Sequence, residues 1–418
     1  MLIKTILNKV LPLKSFVFGK CELDDRDGTL SLVIEVRPRK NSKAVCSRCH
    51  SPRPGYDRLL PRWFEFVPLW GIPMFFWYAM RRVDCPECGI VVEDVPWADG
   101  KHQVTTAYAW FLARWAKRLS WKEVAEVFQT SWDTVCRSVE RAVEWGLEHR
   151  NIDGITAIGV DEISIRRGHR YLTLVYEIGE SCRRLLWVEE ERTKEALEKF
   201  FDFFGEARTA ALKFICSDMW KNYLEVIAEK AKSAVNVLDR FHIIKMLNKK
   251  IDKVRAAEVK RLMAEGREPV LTRSRWCFLK RSENLTEKQD LKLADLLKYN
   301  LKTVRAYLLK EDFDFFWDYV SPTWAGKFLD RWCTRVMRSR IGPMKDFVKT
   351  LRDHKSLILN WFKARKAGIS LGAVEGLNNK AKVTTKKAYG YRTSRVAKIA
   401  LYHALGKLPE PECAHRFS

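Results

Sequence analysis

The chain has 418 residues, 47% hydrophobic and 12% aromatic, which is enough apolar material for sizeable cores and excludes disorder throughout. Its 76 Lys and Arg exceed its 52 Asp and Glu by 24, a balance that points to a polyanionic partner without separating nucleic acid from an anionic membrane surface. At about 150 residues per domain, the length predicts two or three domains.

The N-terminal run MLIKTILNKVLPLKSFVFGK is interrupted by Lys4, Lys9 and Lys14, unlike the unbroken apolar segment of a secretory signal. The best membrane candidate, Phe66 to Met80, is broken by Pro68, Gly71 and Pro73 and falls short of the roughly 20 apolar residues a span needs. It reads as buried strand and turn. A cytoplasmic, nucleoid-associated protein that does not enter membranes is therefore expected.

Residues 1–100 carry short extended runs (SLVIEVRPR, RWFEFVPLW, MFFWYAMRRV) punctuated by Pro and Gly, predicting a small β-rich domain. Eleven cysteines, an odd number and mostly scattered singly, argue against a disulfide framework. Cys46 with Cys49 and Cys85 with Cys88 form two C-x-x-C pairs separated by 35 residues. Such paired knuckles predict one structural Zn²⁺ held by four thiolates, with reduced unliganded cysteines or a redox pair as the alternatives. His50, beside Cys49, is expected to be a bystander.

Residues 101–150 change to helical periodicity. TTAYAWFLARWAKRL predicts one helix, and SWKEVAEVFQT a second with Ser120 as N-cap and Glu123 three residues on. SWDTVCRSVERAVEWGLEH predicts a third, capped by Ser131 or Asp133. The last two, joined by a tight turn, read as a helix-turn-helix or as an ordinary helical bundle between domains. In the first reading Trp132, Thr134, Arg137 and Ser138 face DNA.

Residues 151–240 alternate strands and helices. GITAIGVDEIS, YLTLVYEIG and RRLLWVEE are three strands, with a turn at IRRGHR between the first two. A helix (TKEALEKFFDFFG), a strand (AALKFICSD), a helix (DMWKNYLEVIAEKA) and a strand (SAVNVLD) follow. That order is the ribonuclease H-like one. Residues 241–355 read as a helical, basic insertion or linker, with 18 Lys and Arg against 8 Asp and Glu over residues 245–310. Trp276, Phe278, Tyr299, Tyr307, Trp317, Trp324 and Trp332 interleave with these cations, a pattern compatible with a solvated face or with nucleic-acid contact.

Asp161, in the first strand of this set, and Asp218, after the fourth, stand where neighbouring strands deliver carboxylates to one end of a sheet. Glu375 is the only acid between Asp353 and Glu410. Together the three predict a site for two Mg²⁺ (or Mn²⁺) ions about 3.5–4 Å apart, the arrangement used for in-line phosphoryl transfer. Glu162 faces away from Asp161 unless a bulge intervenes, and Asp218 also reads as a plain helix cap. Asp239 and His242 are a secondary candidate pair.

The segments VDCPECGIVVEDVPWA, GVDEISIRRGHRYLTLVYEI, CSDMWKNYLEVI, VLDRFHIIKMLNKKIDKVR and GAVEGLNNKAKVTTKKAYGYR resemble, in the same order, those of the ISL3 family of bacterial insertion-sequence transposases. The resemblance implies a zinc-binding domain, a helix-turn-helix and a ribonuclease H-like DDE domain, split by a helical insertion and resumed over residues 356–418. It places the catalytic and metal-binding acids on Asp161, Asp218 and Glu375. The implied activity is cleavage at the terminal inverted repeats of an element and joining of the 3′-hydroxyl ends to target DNA, by a homodimer or larger assembly on double-stranded DNA. The rival readings are a non-catalytic zinc and helix-turn-helix regulator and a ribonuclease H-like nuclease without strand transfer.

On a helix, Asn379, Lys382 and Lys386 share the Glu375 face and are expected to hold phosphates. Lys382→Ala and Lys386→Ala should each weaken DNA binding without sequence preference and flatten its salt dependence; unchanged salt slopes would discard the assignment.

Overall fold

Period-two alternation of apolar and polar residues shapes the first hundred residues into strands packed on one apolar face. The computed structural model describes residues 3–26, 28–99, 102–166, 170–267, 270–387 and 391–411. The chain divides into two units, one comprising residues up to Asn151 with those from Val383 onward, the other Ile152–Lys382.

In the first unit, helix α1 (Ile3–Val10) precedes β1 (Phe16–Arg26), β2 (Thr29–Pro38), β3 (Ala44–Cys46), β4 (Pro52–Arg53), β5 (Gly55–Arg58), β6 (Arg62–Leu69), β7 (Ile72–Tyr78), β8 (Arg81–Cys85) and β9 (Gly89–Asp94). They form a four-stranded sheet in the order β1-β2-β7-β6 and a five-stranded one in the order β4-β3-β9-β8-β5. The uncharged stretch around Pro68 and Pro73 is thus strand, turn and strand. Trp97, 2% exposed, is the centre of the larger core, with Phe16 and Tyr78 edge-on at 4.8 and 5.3 Å. Buried Glu93 on β9 accepts from the Tyr78 hydroxyl and the Arg81 backbone N–H, both at 2.6 Å, which fastens one sheet to the other.

Three helices follow: α2 (Thr106–Ala116), α3 (Trp121–Val127) and α4 (Trp132–His149). Ser120 and Glu123 form the expected capping box, and Ser131, rather than Asp133, caps α4. Val124, Val135 and Val139 are fully buried between these helices.

The second unit opens with β10 (Ala157–Arg166), β11 (Arg170–Ile178), β12 (Arg183–Glu190), α5 (Lys194–Phe204), α6 (Glu206–Ala211), β13 (Phe214–Ser217), α7 (Lys221–Lys230) and β14 (Val235–Leu238). The sheet order is β12-β11-β10-β13-β14, antiparallel through β12, β11 and β10 and parallel from β10 to β14. The turn expected at IRRGHR falls largely outside the described residues. The strand expected from AALKFICSD is shorter than its apolar run, because Gly205 at φ 83° ends α5 and lets Ala210 and Ala211 finish a second short helix.

From Arg240 the unit is helical, with α8 (Arg240–Ala264), α9 (Arg275–Leu279), α10 (Glu287–Leu296), α11 (Lys302–Asp314), α12 (Pro322–Arg338), α13 (Gly342–Asp353), α14 (Lys355–Lys366) and the part of α15 (Gly372–Lys387) up to Lys382. Buried Glu258 on α8 accepts from the backbone N–H groups of Lys302 and Thr303 at 3.0 and 2.8 Å, holding the start of α11. Phe278, Tyr307, Trp317 and Trp332 are buried and build this core, so of the seven interleaved aromatics only Trp276, Tyr299 and Trp324 are exposed. Asn360 on α14 donates to the Asn236 carbonyl of β14 at 2.8 Å, joining the helices to the sheet.

The last helix, α16 (Ser394–Leu405), belongs to the first unit and packs on α4. Arg114 of α2 and Lys117, the residue that ends it, bind the Glu410 carboxylate at 2.8 and 2.7 Å.

Helix α15 lies against β10 because Gly159 has no side chain: a Cβ there would overlap the Val374 methyl group. Gly159→Ala should therefore destabilise the second unit by about 1–3 kcal/mol through overpacking, read as a lower denaturant midpoint. An unchanged midpoint would mean that this contact does not seat α15.

Candidate active site and metal centre

In the first unit the sulfurs of Cys46, Cys49, Cys85 and Cys88 all lie within 4.8 Å of one another, with Cys49 and Cys85 at 3.7 Å. A tetrahedral ion with metal–sulfur bonds of about 2.3 Å sets its sulfurs about 3.8 Å apart. The two knuckles repeat one backbone shape. The residue after each pair has a positive φ, His50 at 54° and Gly89 at 76°, and the His50 N–H closes a turn onto the Cys46 carbonyl at 2.9 Å. The His50 ring turns aside to Asp94 at 3.1 Å, leaving a four-sulfur group. Hydrogen bonding from the Ser51 backbone N–H pulls the Cys49 thiol below its usual range, whereas burial and the neighbouring sulfurs push Cys88 up. Four thiolates side by side need a cation before all can ionise.

In the second unit the strand register aligns three acids. The pairs Ala157↔Phe214 to Gly159↔Cys216, continued two residues, bring Asp161 level with Asp218, and Ser217↔Leu238, continued one, brings Asp218 level with Asp239. All three are under a tenth exposed. Asp161 Oδ1 accepts the Glu162 N–H at 2.8 Å, and Oδ2 accepts from the Asn378 side-chain amide, whose oxygen takes the Tyr176 hydroxyl at 2.6 Å. Asp239 caps α8 through the Phe241 N–H at 2.9 Å and meets His242 Nδ1 at 3.2 Å; His242 Nε2 lies 4.0 Å from Asp161. Asp161, Asp239 and His242 thus offer one ligand atom each within 4.8 Å of one another.

Asp218 turns elsewhere. Its Oδ1 accepts the Trp220 N–H at 3.0 Å, as a helix-start residue does, and its Oδ2 takes Arg192 Nη2 at 2.6 Å. Arg192 also reaches Glu162 at 3.3 Å and lies 4.6 Å over the Trp220 ring. Pairing of β10 with β11 is unbroken from Ile158 to Ser164, so no bulge exchanges Asp161 and Glu162. Among the described residues, Glu162 Oε2 is buried without a hydrogen-bond partner.

Asp161, Glu162, His242, Glu375, Asn379 and Lys382 line one cleft of about 80 Å³. Burial pushes the Asp161 carboxyl up to about 6, and burial, with the charge of Asp218 next, pushes Glu162 up to about 7. Burial opposes a charge on His242, but the Asp239 hydrogen bond and the charges of Asp161, Asp239 and Asp218 leave its titration raised. A pocket of acids desolvated this far, with one oxygen unpartnered, suits a hard divalent cation.

Asp161 and Glu375 therefore share the cleft, while the Asp218 carboxylate is held by Arg192. Sequence reasoning passed over Asn378, although its position three residues after Glu375 puts it on the same helical face. Arg192, in the loop after β12, had no sequence signal. Among the candidate DNA contacts, Trp132 and Arg137 are exposed, Arg137 paired with Asp133 at 2.5 Å, and the half-buried Thr134 hydroxyl meets Ser131 at 2.8 Å. Ser138 is a correction: it is 3% exposed, its hydroxyl donates to the Thr134 carbonyl at 2.7 Å, and it faces the helical core, not solvent. Asn379, Lys382 and Lys386 are exposed on α15.

The ISL3 family model, described as "Transposase", matches residues 158–400, from β10 into α16. The chain belongs to the ISL3 transposase family. It is 31% identical over 410 residues to the transposase for insertion sequence element IS1557 of Mycobacterium tuberculosis H37Rv, covering 91% of this chain and 89% of that protein. It is 26% identical over 375 residues to the transposase for insertion sequence element IS1001 of Bordetella parapertussis, covering 88% and 90%. Asp161, Asp218 and Glu375 all fall inside the family match. Among the described residues of this ISL3-family chain, no helix is long and apolar enough to cross a membrane.

The four-sulfur group should carry one metal ion per chain by plasma mass spectrometry, and Cys46→Ser or Cys85→Ser should lose it and lower the melting temperature. Metal content indifferent to both substitutions would exclude this centre.

Proposed function

We propose that this chain is a DDE transposase that cuts DNA at the ends of an insertion sequence and joins the 3′-hydroxyl ends to target DNA. The observation that carries the proposal is the placement of Asp161 and Glu375 in one cleft, with Asp218 level with Asp161 at the same sheet edge, in a chain of the ISL3 family. The sheet order and strand directions support a ribonuclease H-like core, and the names of the relatives support insertion-sequence ends as the substrate.

Asp161, Asp218 and Glu375 are the residues that would hold Mg²⁺ or Mn²⁺, two ions per site. Those ions, when bound, activate the attacking oxygen and stabilise the leaving one, which lets one site perform both hydrolysis and joining. For Asp218 to act with Asp161, its carboxylate must leave Arg192. Asn378 fixes the Asp161 carboxylate from the helix that bears Glu375, so the orientation of one acid depends on the seating of the other. His242 lies 3.2 Å from Asp239 and 4.0 Å from Asp161, where its protonated form would limit their mutual repulsion. Lys382 and Asn379, at the cleft rim, hold the phosphates of the strand being cut, with Lys386 one turn further along the helix.

The four-cysteine group holds a structural Zn²⁺ in this reading. The α3–α4 pair acts as a helix-turn-helix on the terminal inverted repeats, through Trp132, Thr134 and Arg137, supported by the tight turn and the solvent exposure of Trp132 and Arg137. Because two ends must be processed together, the acting form is a homodimer or larger assembly on double-stranded DNA, in the cytoplasm at the nucleoid.

The test is cleavage and strand joining of labelled element-end DNA with Mg²⁺ or Mn²⁺. The wild-type chain should cut and join, and Asp161→Asn, Asp218→Asn and Glu375→Gln should each slow cleavage by about 100-fold or more while DNA binding survives. DNA that is bound but never cut would favour a non-catalytic regulator. Cutting without joining would favour a nuclease.

A further inference from the structure

Helix α12 buries Ala325, Leu329, Trp332, Cys333 and Val336, each at most 2% exposed, and turns its opposite face to solvent. That outer face carries Lys327, Arg331, Arg335 and Arg338, all exposed. Arg335 is paired with Asp312, and the one acid on the stripe, Asp330, is neutralised by Lys355, which reaches both its oxygens at 2.7 Å. Among the described residues no carboxylate pairs with Lys327, Arg331 or Arg338. Lys327 is also held in place, its Nζ 4.4 Å over the ring of Trp324, which is 58% exposed. Along the stripe lies an open hollow of about 380 Å³ lined by Asp330, Arg331, Thr334, Arg335 and Arg338.

A helix that leaves three cations uncompensated on one face, and is rigid because its other face is core, suits a linear polyanion. Lys327 and Arg338 are eleven residues apart, about 17 Å at 1.5 Å per residue, which matches about five base-pair rises of 3.4 Å along a duplex axis. The two guanidinium groups match phosphate oxygens with paired N–H donors, and a lysine serves as a point charge between turns. We infer that the outer face of α12 is a track for the phosphodiester backbone of duplex DNA, formed by residues other than those of the acidic cleft. This rests on the reading of the chain as a DNA transposase and adds to it a sequence-independent contact.

The experiment compares the full chain with the triple variant Lys327→Gln, Arg331→Gln, Arg338→Gln and with a charge-matched control, Lys199→Gln, Lys213→Gln, Lys232→Gln, three exposed lysines elsewhere in the same unit. Affinity for a duplex of arbitrary sequence is measured as a function of salt. With about 0.9 of logarithmic slope for each phosphate neutralised, the α12 triple should be shallower by about 2.7. Between 50 and 200 mM salt the wild type should then lose about 40-fold more affinity than the triple. The control should keep the wild-type slope. Single substitutions, each expected to remove about 0.9, and a charge-keeping Arg331→Lys, Arg338→Lys pair, expected to remove none, test the same point if the triple folds poorly. Equal slopes in the triple and in the wild type, or an equal loss in the control, would overturn the track while leaving the transposase reading intact. A wild-type chain that binds no duplex DNA would overturn both.

Discussion

The second unit is organised around carboxylates buried in a row. Parallel pairing of β10, β13 and β14 brings Asp161, Asp218 and Asp239 to one level, where each is under a tenth exposed. A charge removed from water must find a donor or a counter-charge, and each of the three finds a different one. Asp161 has Asn378, Asp239 has His242 and the start of α8, and Asp218 has Arg192 and the start of α7. Their partners come from α15, α8 and the loop before α5, so the helices around the sheet edge are tied to the acids they surround. Removing one partner leaves a buried charge exposed to its neighbours rather than to solvent, which is why these contacts and the catalytic proposal cannot be separated.

The acids also differ in the partners that hold them. Asp161, Asp239 and His242 converge within 4.8 Å, while Glu162, which lines the cleft with Asp161 and Glu375, shares Arg192 with Asp218. In the first unit the four cysteines solve a similar electrostatic problem by proximity. Two turns of the same shape bring sulfurs to tetrahedral spacing in a small module whose second core, around Ala44 and Val83, has few apolar side chains of its own.

Much of the fold was legible locally. Ser120 with Glu123, and Ser131, announced the starts of α3 and α4, because caps act over three residues. The strands of the second unit followed from short β-branched runs, and the C-x-x-C pairs carried their own spacing. Less legible were features whose cause lies far along the chain. Ser138 sits at a helical position that sequence reasoning assigned to DNA, yet its facing is set by the packing of α4 on α2. The aromatics of residues 276–332 look alike in sequence, but four became core and three did not, a division made by helix packing.

The sequence by itself determined the charge balance, the two cysteine pairs, the helix caps, the alternation of strands and helices, and Glu375 as an isolated acid in a basic stretch, because composition and short-range periodicity carry all of these. Only the tertiary structure decided that Gly159 makes room for Val374, that Asn378 rather than Asn379 reaches Asp161, that Arg192 holds Asp218, and that residues after Val383 pack with the first unit. Each of these last is a meeting of residues tens to hundreds of positions apart. Such meetings depend on strand register, helix rotation and close packing, which no local pattern encodes.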